Sequence, residues 1–150
     1  MNSFYPVVKV KLVNPDAPVP RFAREGDAGF DLCTIETVTI QPFQTVMVHT
    51  GIAVAIPNVY EGTIRPRSGM AAKRGITLAN APATIDSNYR GEILLPLYNM
   101  TTEPVTVEAF ERVAQMLIKL QQQPTRMLVD ELDATERGSQ GFGSSGYGRL

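Results

Sequence analysis

Residues 79–92 gather an amide (Asn80), a carboxylate (Asp86), a phenol (Tyr89) and an Arg-Gly pair (Arg90, Gly91) within one short stretch. A carboxylate at a fixed place on a turn-braced segment suits general-base work, because it can take a proton from water without a metal-bound hydroxide. Asn, Pro, Asp-Ser-Asn and Gly supply turn chemistry here, while Ile85 and Ile93-Leu94-Leu95 supply strand chemistry, so the stretch reads as a hairpin. An isolated Asp-Ser-Asn ordinarily only stabilises its own turn. The meaning of Asp86 therefore depends on what stands elsewhere in the chain.

Phosphate chemistry is offered at two other places. Ser68-Gly-Met-Ala-Ala-Lys-Arg74 is the one convincing helical stretch, with Ser68 as its expected cap and Gly75 as its expected terminator. Residues 136–148 carry Arg137, Phe142, Gly143, Ser144 and Ser145 in a Gly/Ser-rich run without apolar periodicity, the composition of a flexible arm. Glycine-rich backbone lets N–H groups approach an anion closely, and serine hydroxyls add donors. From Leu132 to Phe142 such a coil reaches on the order of 17 Å, enough to close over a neighbouring pocket.

The elements that must hold these groups are strands. Val8, Val10 and Leu12 alternate with lysines; Val38 and Ile40 alternate with threonines; Ala114, Met116, Ile118 and Leu120 alternate with Gln115, Lys119 and Gln121. Short β-branched runs bounded by Pro, Gly, Asn and Asp are the signature of an all-β sandwich or barrel. Eleven prolines and twelve glycines provide the boundaries. Residues 1–135 read as one β domain and residues 136–150 as its arm.

Composition removes several classes of function. The chain's 150 residues suit one domain, and 14 basic against 15 acidic residues give a net charge of −1 without any like-charge block. A nucleic-acid polymer or an anionic membrane is a poor partner for such a surface. Cys33 is the only cysteine, so neither an internal disulfide nor a zinc cluster is available, and a small hydrophobe in a reducing, cytoplasmic setting is expected. The start, Met1-Asn-Ser-Phe-Tyr-Pro6, lacks the basic and apolar regions of a secretory signal, and no apolar run approaches bilayer length. His49 sits in a strand pattern and reads as a surface or satisfied histidine.

Five segments stand in order: Asp-Ala-Gly-Phe-Asp-Leu at 27–32, Gly-Thr-Ile-Arg-Pro-Arg-Ser-Gly-Met-Ala at 62–71, the stretch 80–92, Arg-Val-Ala-Gln-Met-Leu-Ile at 112–118, and Arg-Gly-Ser-Gln-Gly-Phe-Gly-Ser-Ser-Gly at 137–146. Together they resemble the five motifs of the trimeric dUTP pyrophosphatases. The resemblance runs from residue 27 to residue 146 with order and spacing intact. It implies a jelly-roll-like β-barrel, hydrolysis of dUTP to dUMP and pyrophosphate, Mg²⁺ as cofactor, and a homotrimer with shared active sites. Position by position, Asp86 is similar to the aspartate that aims water at the α-phosphorus. Tyr89 is similar to the ring beneath the deoxyribose. Asn80, with the backbone through Thr84 and Ile85, is similar to the reader of the uracil edge. Arg67, Ser68, Gly69 and Gln115 fall on phosphate-contacting positions, and Asp31 on the acid that reaches Mg²⁺ through water. The resemblance further implies that Arg137 clamps the γ-phosphate, Phe142 stacks on uracil, and Gly143, Ser144 and Ser145 meet the phosphate chain.

The chain departs from the family pattern in places. Ala81 and Ala83 stand where many relatives have Gly, and Phe110 stands where a Gly-acid turn is usual, which puts that turn's geometry in question. Two rival readings share the fold. A dCTP deaminase would act on the base and needs a glutamate at the pocket, and a nucleotide-sensing regulatory protein would bind without turnover.

Overall fold

The computed structural model describes residues 5–141. Among them, ten strands and one helix follow in the order β1 (Lys9–Leu12), β2 (Phe30–Cys33), β3 (Val38–Ile40), β4 (Thr45–Ala55), β5 (Tyr60–Pro66), α1 (Ser68–Arg74), β6 (Ile76–Leu78), β7 (Ala83–Ile85), β8 (Glu92–Asn99), β9 (Val105–Val107) and β10 (Arg112–Leu120). One sheet has the order β1-β4-β8-β6, a second the order β2-β10-β5-β7, and β3 pairs with β9 alone. The expected all-β class with one short helix is observed. Its ladders form separate sheets rather than one closed, continuously hydrogen-bonded barrel, the jelly-roll form in which two sheets face each other across a core.

Alternation in the sequence becomes layering. Leu32, Ile64 and Met116 from the second sheet and Val48, Ile93, Leu95 and Leu97 from the first are all buried to 1% exposure or less. Each such side chain contributes about 1.5–3 kcal/mol through loss of apolar surface from water. The buried Asn99 is fully paired: its Nδ2 donates to Ile40 O and Glu103 O, and its Oδ1 accepts from the N–H and hydroxyl of Thr101.

The pairing of β10 with β2 contains one irregularity that matters for function. Arg112 pairs with Cys33 and Ala114 with Leu32, so Val113 is an extra residue, a β-bulge. Val113 and Ala114 are both buried, and the alternation resumes with Gln115 half-buried and Met116 buried. An unbroken period of two would have put Arg112 on the core face with Ala114 and Met116. The bulge instead sets Arg112 and Gln115 on the outer face, across from Cys33 and Asp31.

Three expectations need correction. Residues 79–92 are not a hairpin: β7 pairs with β5, whereas β8 pairs with β4 and β6, so residues 86–91 cross between sheets. Ser68 does not cap α1. The cap position is Arg67, in extended conformation with no side-chain capping bond, while Gly75 ends the helix in the left-handed region as expected. The alternation around Val8–Leu12 predicts a half-buried strand, yet every residue of β1 is exposed in the single chain. Among the described residues no helix is long and apolar enough to cross a membrane.

Phe110 resolves the doubt about its turn. Its φ is 66°, the left-handed conformation that glycine adopts without strain, and its N–H donates to Thr34 O at 2.7 Å. The glycine-type turn is thus kept despite the phenylalanine, whose side chain is half exposed. A non-glycine residue there costs about 1–2 kcal/mol, against roughly 0.5–1 kcal/mol of extra chain entropy lost by glycine. Phe110→Gly is therefore expected to stabilise the fold by about 0.5 kcal/mol. Thermal unfolding checks this, and a lower Tm in the variant would show that the ring contributes packing that outweighs the strain.

Candidate active site

The outer face of the second sheet carries a polar cluster. Asp31 on β2 pairs in register with Gln115 on β10, and Gln115 with Arg65 on β5. The Asp31 carboxylate is only 14% exposed and takes one guanidinium on each oxygen: Arg67 Nε at 3.0 Å from Oδ1 and Arg112 Nη1 at 3.1 Å from Oδ2. Arg67 Nη1 also donates to the Arg112 carbonyl at 3.1 Å, closing a ring of three residues. Gln115 Nε2 donates to Pro66 O at 3.2 Å, which leaves its Oε1 as an acceptor. Gly29 lies against this amide, since a Cβ there would fall 3.4 Å from Gln115 Oε1.

Ser68 and Gly69 follow Arg67 directly and are exposed at the start of α1. Because Ser68 is not used as a cap, its hydroxyl has no protein partner among the described residues. Arg74 binds the far end of this helix to the body of the fold, with Nη1 on Glu111 and Nη2 on the Thr106 carbonyl. The sheet thus presents cations, an amide and a hydroxyl together, a set that recognises phosphate oxygens.

The second group of expected residues lies on β7 and in the connections on either side of it. A cavity of about 520 Å³ runs between the β5–β10 ladder and residues 81–84, with Pro82 and Thr84 on one side and Arg65, Pro66, Gln115 and Lys119 on the other. The Ala81–Pro82 peptide is cis. Asn80 is exposed beside a turn closed by the Ala81 N–H on Leu78 O. Ile85 is half-buried and anchors β7, and Asp86 follows it into solvent. The Asp86 carbonyl accepts from the Tyr89 N–H at 3.1 Å, whereas its carboxylate has no protein partner among the described residues. The bracing comes instead from Arg90, whose Nη1 donates to the carbonyls of Ser87 and Tyr89 at 2.7 Å each. Tyr89 lies over Gly91 and donates from its hydroxyl to Glu92 O at 2.9 Å.

Within one chain, the structure therefore brings Asp31, Arg67 and Gln115 together, sets Gln115 across a cavity from Thr84, and holds Asn80 before β7 and Asp86 with Tyr89 after it. Arg137 belongs to neither group: its Nε donates to Gln140 O within its own turn. Phe142, Gly143, Ser144 and Ser145 lie outside the described residues. Residue-type reasoning singled out Arg90 without its role as a staple of the loop, and it missed Arg112 as a partner of Asp31. Arg112 had a signal, because a charge falls where β10's alternation demands a core residue.

Two titrating groups lie near these parts. Burial, with the Asp31 charge behind it, pushes the Cys33 thiol up, which keeps it protonated and unreactive. Cys33 is half-buried on the outer face of β2 rather than in the core. A hydrogen bond from His49 Nδ1 to Glu92 Oε2 at 3.0 Å raises the His49 pKa, and His49 is the exposed, satisfied histidine expected. Glu92 Oε1 accepts from the Gly51 N–H at 2.7 Å, so both oxygens of that acid are engaged.

Comparison with known proteins agrees with this architecture. The family model for dUTPase matches residues 15–146. The chain is 46% identical over 140 residues to the deoxyuridine 5'-triphosphate nucleotidohydrolase of Thermobifida fusca, covering 93% of this chain and 78% of that one. It is 44% identical to the protein of the same name from Clostridioides difficile, covering 93% and 98%. Among solved structures, the dUTPase of Staphylococcus bacteriophage 80alpha with dUPNHPP superposes with a TM-score of 0.86 at 28% identity, covering 93% of this chain and 98% of that one.

The contact between Tyr89 and Gly91 gives a prediction. A Cβ on residue 91 would collide with Tyr89 Oη and fall 2.6 Å from its Cζ, too close for any real contact, so the phenol end must give way. Gly91→Ala is expected to displace the ring and lose the Tyr89–Glu92 bond while costing only about 1 kcal/mol of stability. Calorimetric titration with a non-hydrolysable dUTP analogue should show roughly tenfold weaker binding, near 1.4 kcal/mol. Unchanged affinity with a displaced ring would remove Tyr89 from the binding surface.

Proposed function

This chain belongs to the dUTPase family, and from that premise we propose how its residues divide the work of hydrolysing dUTP to dUMP and pyrophosphate. The observation that carries the reading is the family match over residues 15–146, which spans all five motif segments. Destruction of dUTP keeps uracil out of DNA synthesis and yields dUMP as a precursor of thymidylate.

Asp86 orients a water for in-line attack on the α-phosphorus and accepts its proton. The exposed, unpartnered carboxylate on a loop stapled by Arg90 supports this role, because it has acceptor capacity to spare and a fixed base. Gln115 keeps an amide oxygen free beside the phosphate-binding cations and helps to place the water. Arg67, Ser68 and Gly69 hold the phosphates, and Arg137 with Phe142, Gly143, Ser144 and Ser145 closes over the nucleotide from the arm at 136–150, excluding bulk water. Tyr89 forms the floor under the sugar, where a ribose 2′-OH would meet a ring face without a partner. Asn80, Thr84 and Ile85 read the uracil edge.

Mg²⁺ fits the donor set. Among the described residues no group of three His, Cys, Asp or Glu side chains gathers to hold a metal, so the ion would be held mainly by the triphosphate and water, with Asp31 in indirect contact. Bound there, it neutralises charge on the phosphate chain. Both Asp31 oxygens already hold guanidinium groups, but a carboxylate offers about four lone-pair sites, and those left over can accept from the ion's water shell.

The deaminase reading is weaker on a specific ground. Glu92, the glutamate of this segment, has one oxygen on the Gly51 N–H and the other on His49, which leaves it tied into the fold. Asp86→Asn is expected to lower kcat for dUTP by at least about a hundredfold while analogue binding changes little. The assay reads pyrophosphate and ammonia together over dUTP, dCTP, dTTP and UTP, with pyrophosphate expected from dUTP alone. Ammonia from dCTP would transfer the chain to the deaminase class, and full activity in the Asp86→Asn variant would remove the base assignment.

The active form is a homotrimer in a cytoplasmic setting. Support for assembly comes from apolar surface left in water by the single chain. Residues 122–141 are all exposed, including Met127 at 82%, Leu128 at 100% and Leu132 at 86%. Sedimentation equilibrium is expected to give three times the chain mass of 16.4 kDa. A fully active monomer would defeat this part of the reading.

A further inference from the structure

We propose that Arg112 is a positioning residue of this enzyme: through Asp31 it sets the orientation in which Arg67 meets the phosphates. The proposal rests on the reading of Arg67 as a phosphate ligand. Arg67 has five guanidinium N–H donors. Its Nη1 donates to the Arg112 carbonyl and its Nε forms an ion pair with Asp31 Oδ1 at 3.0 Å, which leaves most of the donors for an incoming anion. An arginine free to rotate would lose side-chain entropy on capturing a phosphate, whereas one clamped at two points has already lost it. The clamp depends in turn on Asp31 pointing the right way, and Asp31 Oδ2 is held by Arg112 Nη1.

Geometry gives Arg112 no other evident task. Its side chain is about half exposed, so its ion pair with Asp31 contributes little to stability. It occupies the outer face only because Val113 is bulged, a local deformation of β10 that an ordinary strand would not carry. Its backbone carbonyl accepts from Arg67 while its guanidinium holds Asp31, the acid paired with that same Arg67. The bulge therefore builds a preformed phosphate clasp out of three side chains that adjoin in space but come from three separate segments of the sequence.

A double-mutant cycle between Asp31→Ala and Arg112→Ala tests this, with kcat/KM for dUTP and Tm measured for all four proteins. Arg112→Ala is expected to lower kcat/KM by between roughly tenfold and a hundredfold when Asp31 is present. In the Asp31→Ala background it is expected to cost less than about twofold, because a residue that acts through Asp31 has nothing left to position. An equal loss in both backgrounds would mean that Arg112 touches the substrate itself or supports the fold elsewhere, and would overturn the proposal. Arg67→Ala, measured alongside, tests the underlying reading separately: no loss there would remove Arg67 from the phosphate site whatever the cycle shows. If Arg112→Ala does not fold, Arg112→Lys and Arg112→Gln replace it. Lysine, which can still donate to Asp31, is expected to retain more activity than glutamine, and equal rates in the two would also overturn the proposal.

Discussion

One extra residue in β10 decides which way the chemistry faces. Val113 breaks the two-residue period between Arg112 and Ala114, and both Val113 and Ala114 turn inward as a result. Arg112 and Gln115 then share the outer surface with Asp31, three residues apart instead of two or four. The outward placement of this polar cluster depends on that phase. The core side of the same strand contributes Ala114 and Met116, both fully buried, so the register that presents the polar groups is also the one that fills the interior. Slippage by one residue would bury Gln115 and expose Met116, so packing energy holds the site in place.

The other half of the site is placed by a different device. Residues 86–91 cross from the edge of one sheet to the interior strand of the other, and a crossing segment has no ladder to stiffen it. Its rigidity comes from side chains folded back on their own loop: the Arg90 guanidinium on two carbonyls, and the Tyr89 phenol on the Glu92 carbonyl. Gly91 is required by the close approach of that ring rather than by an unusual φ. The result is an exposed carboxylate with free acceptor sites on a loop braced from within.

The class of fold was legible because alternation is a direct image of the pleat: Ile40, Ala114 and Met116 go inside, while Ile118 is half-buried and Leu120 is exposed where β10 ends. The helix end at Gly75 was equally plain, since a left-handed φ of 63° and a Cβ position that would run into Thr101 Cγ2 leave room for glycine alone. Pairing partners were not legible. Turn residues between two apolar runs suggest a hairpin, but the runs around 79–92 find their neighbours in different sheets, a choice made by contacts far away in sequence. The expected site residues come from resemblance to a family, and the physical clue in the chain itself is Arg112, a charge out of phase in an apolar alternation that a bulge must accommodate. Ser68 shows the converse: a residue type well suited to capping is left uncapped and available because Arg67 takes the extended position before the helix.

The stretch after β10 has a consequence for the single chain. Residues 122–141 are exposed throughout and form no strand, so their backbone has no ladder to shield it. Proteases are expected to nick there before they reach the sandwich, which leaves the two sheets as a resistant core.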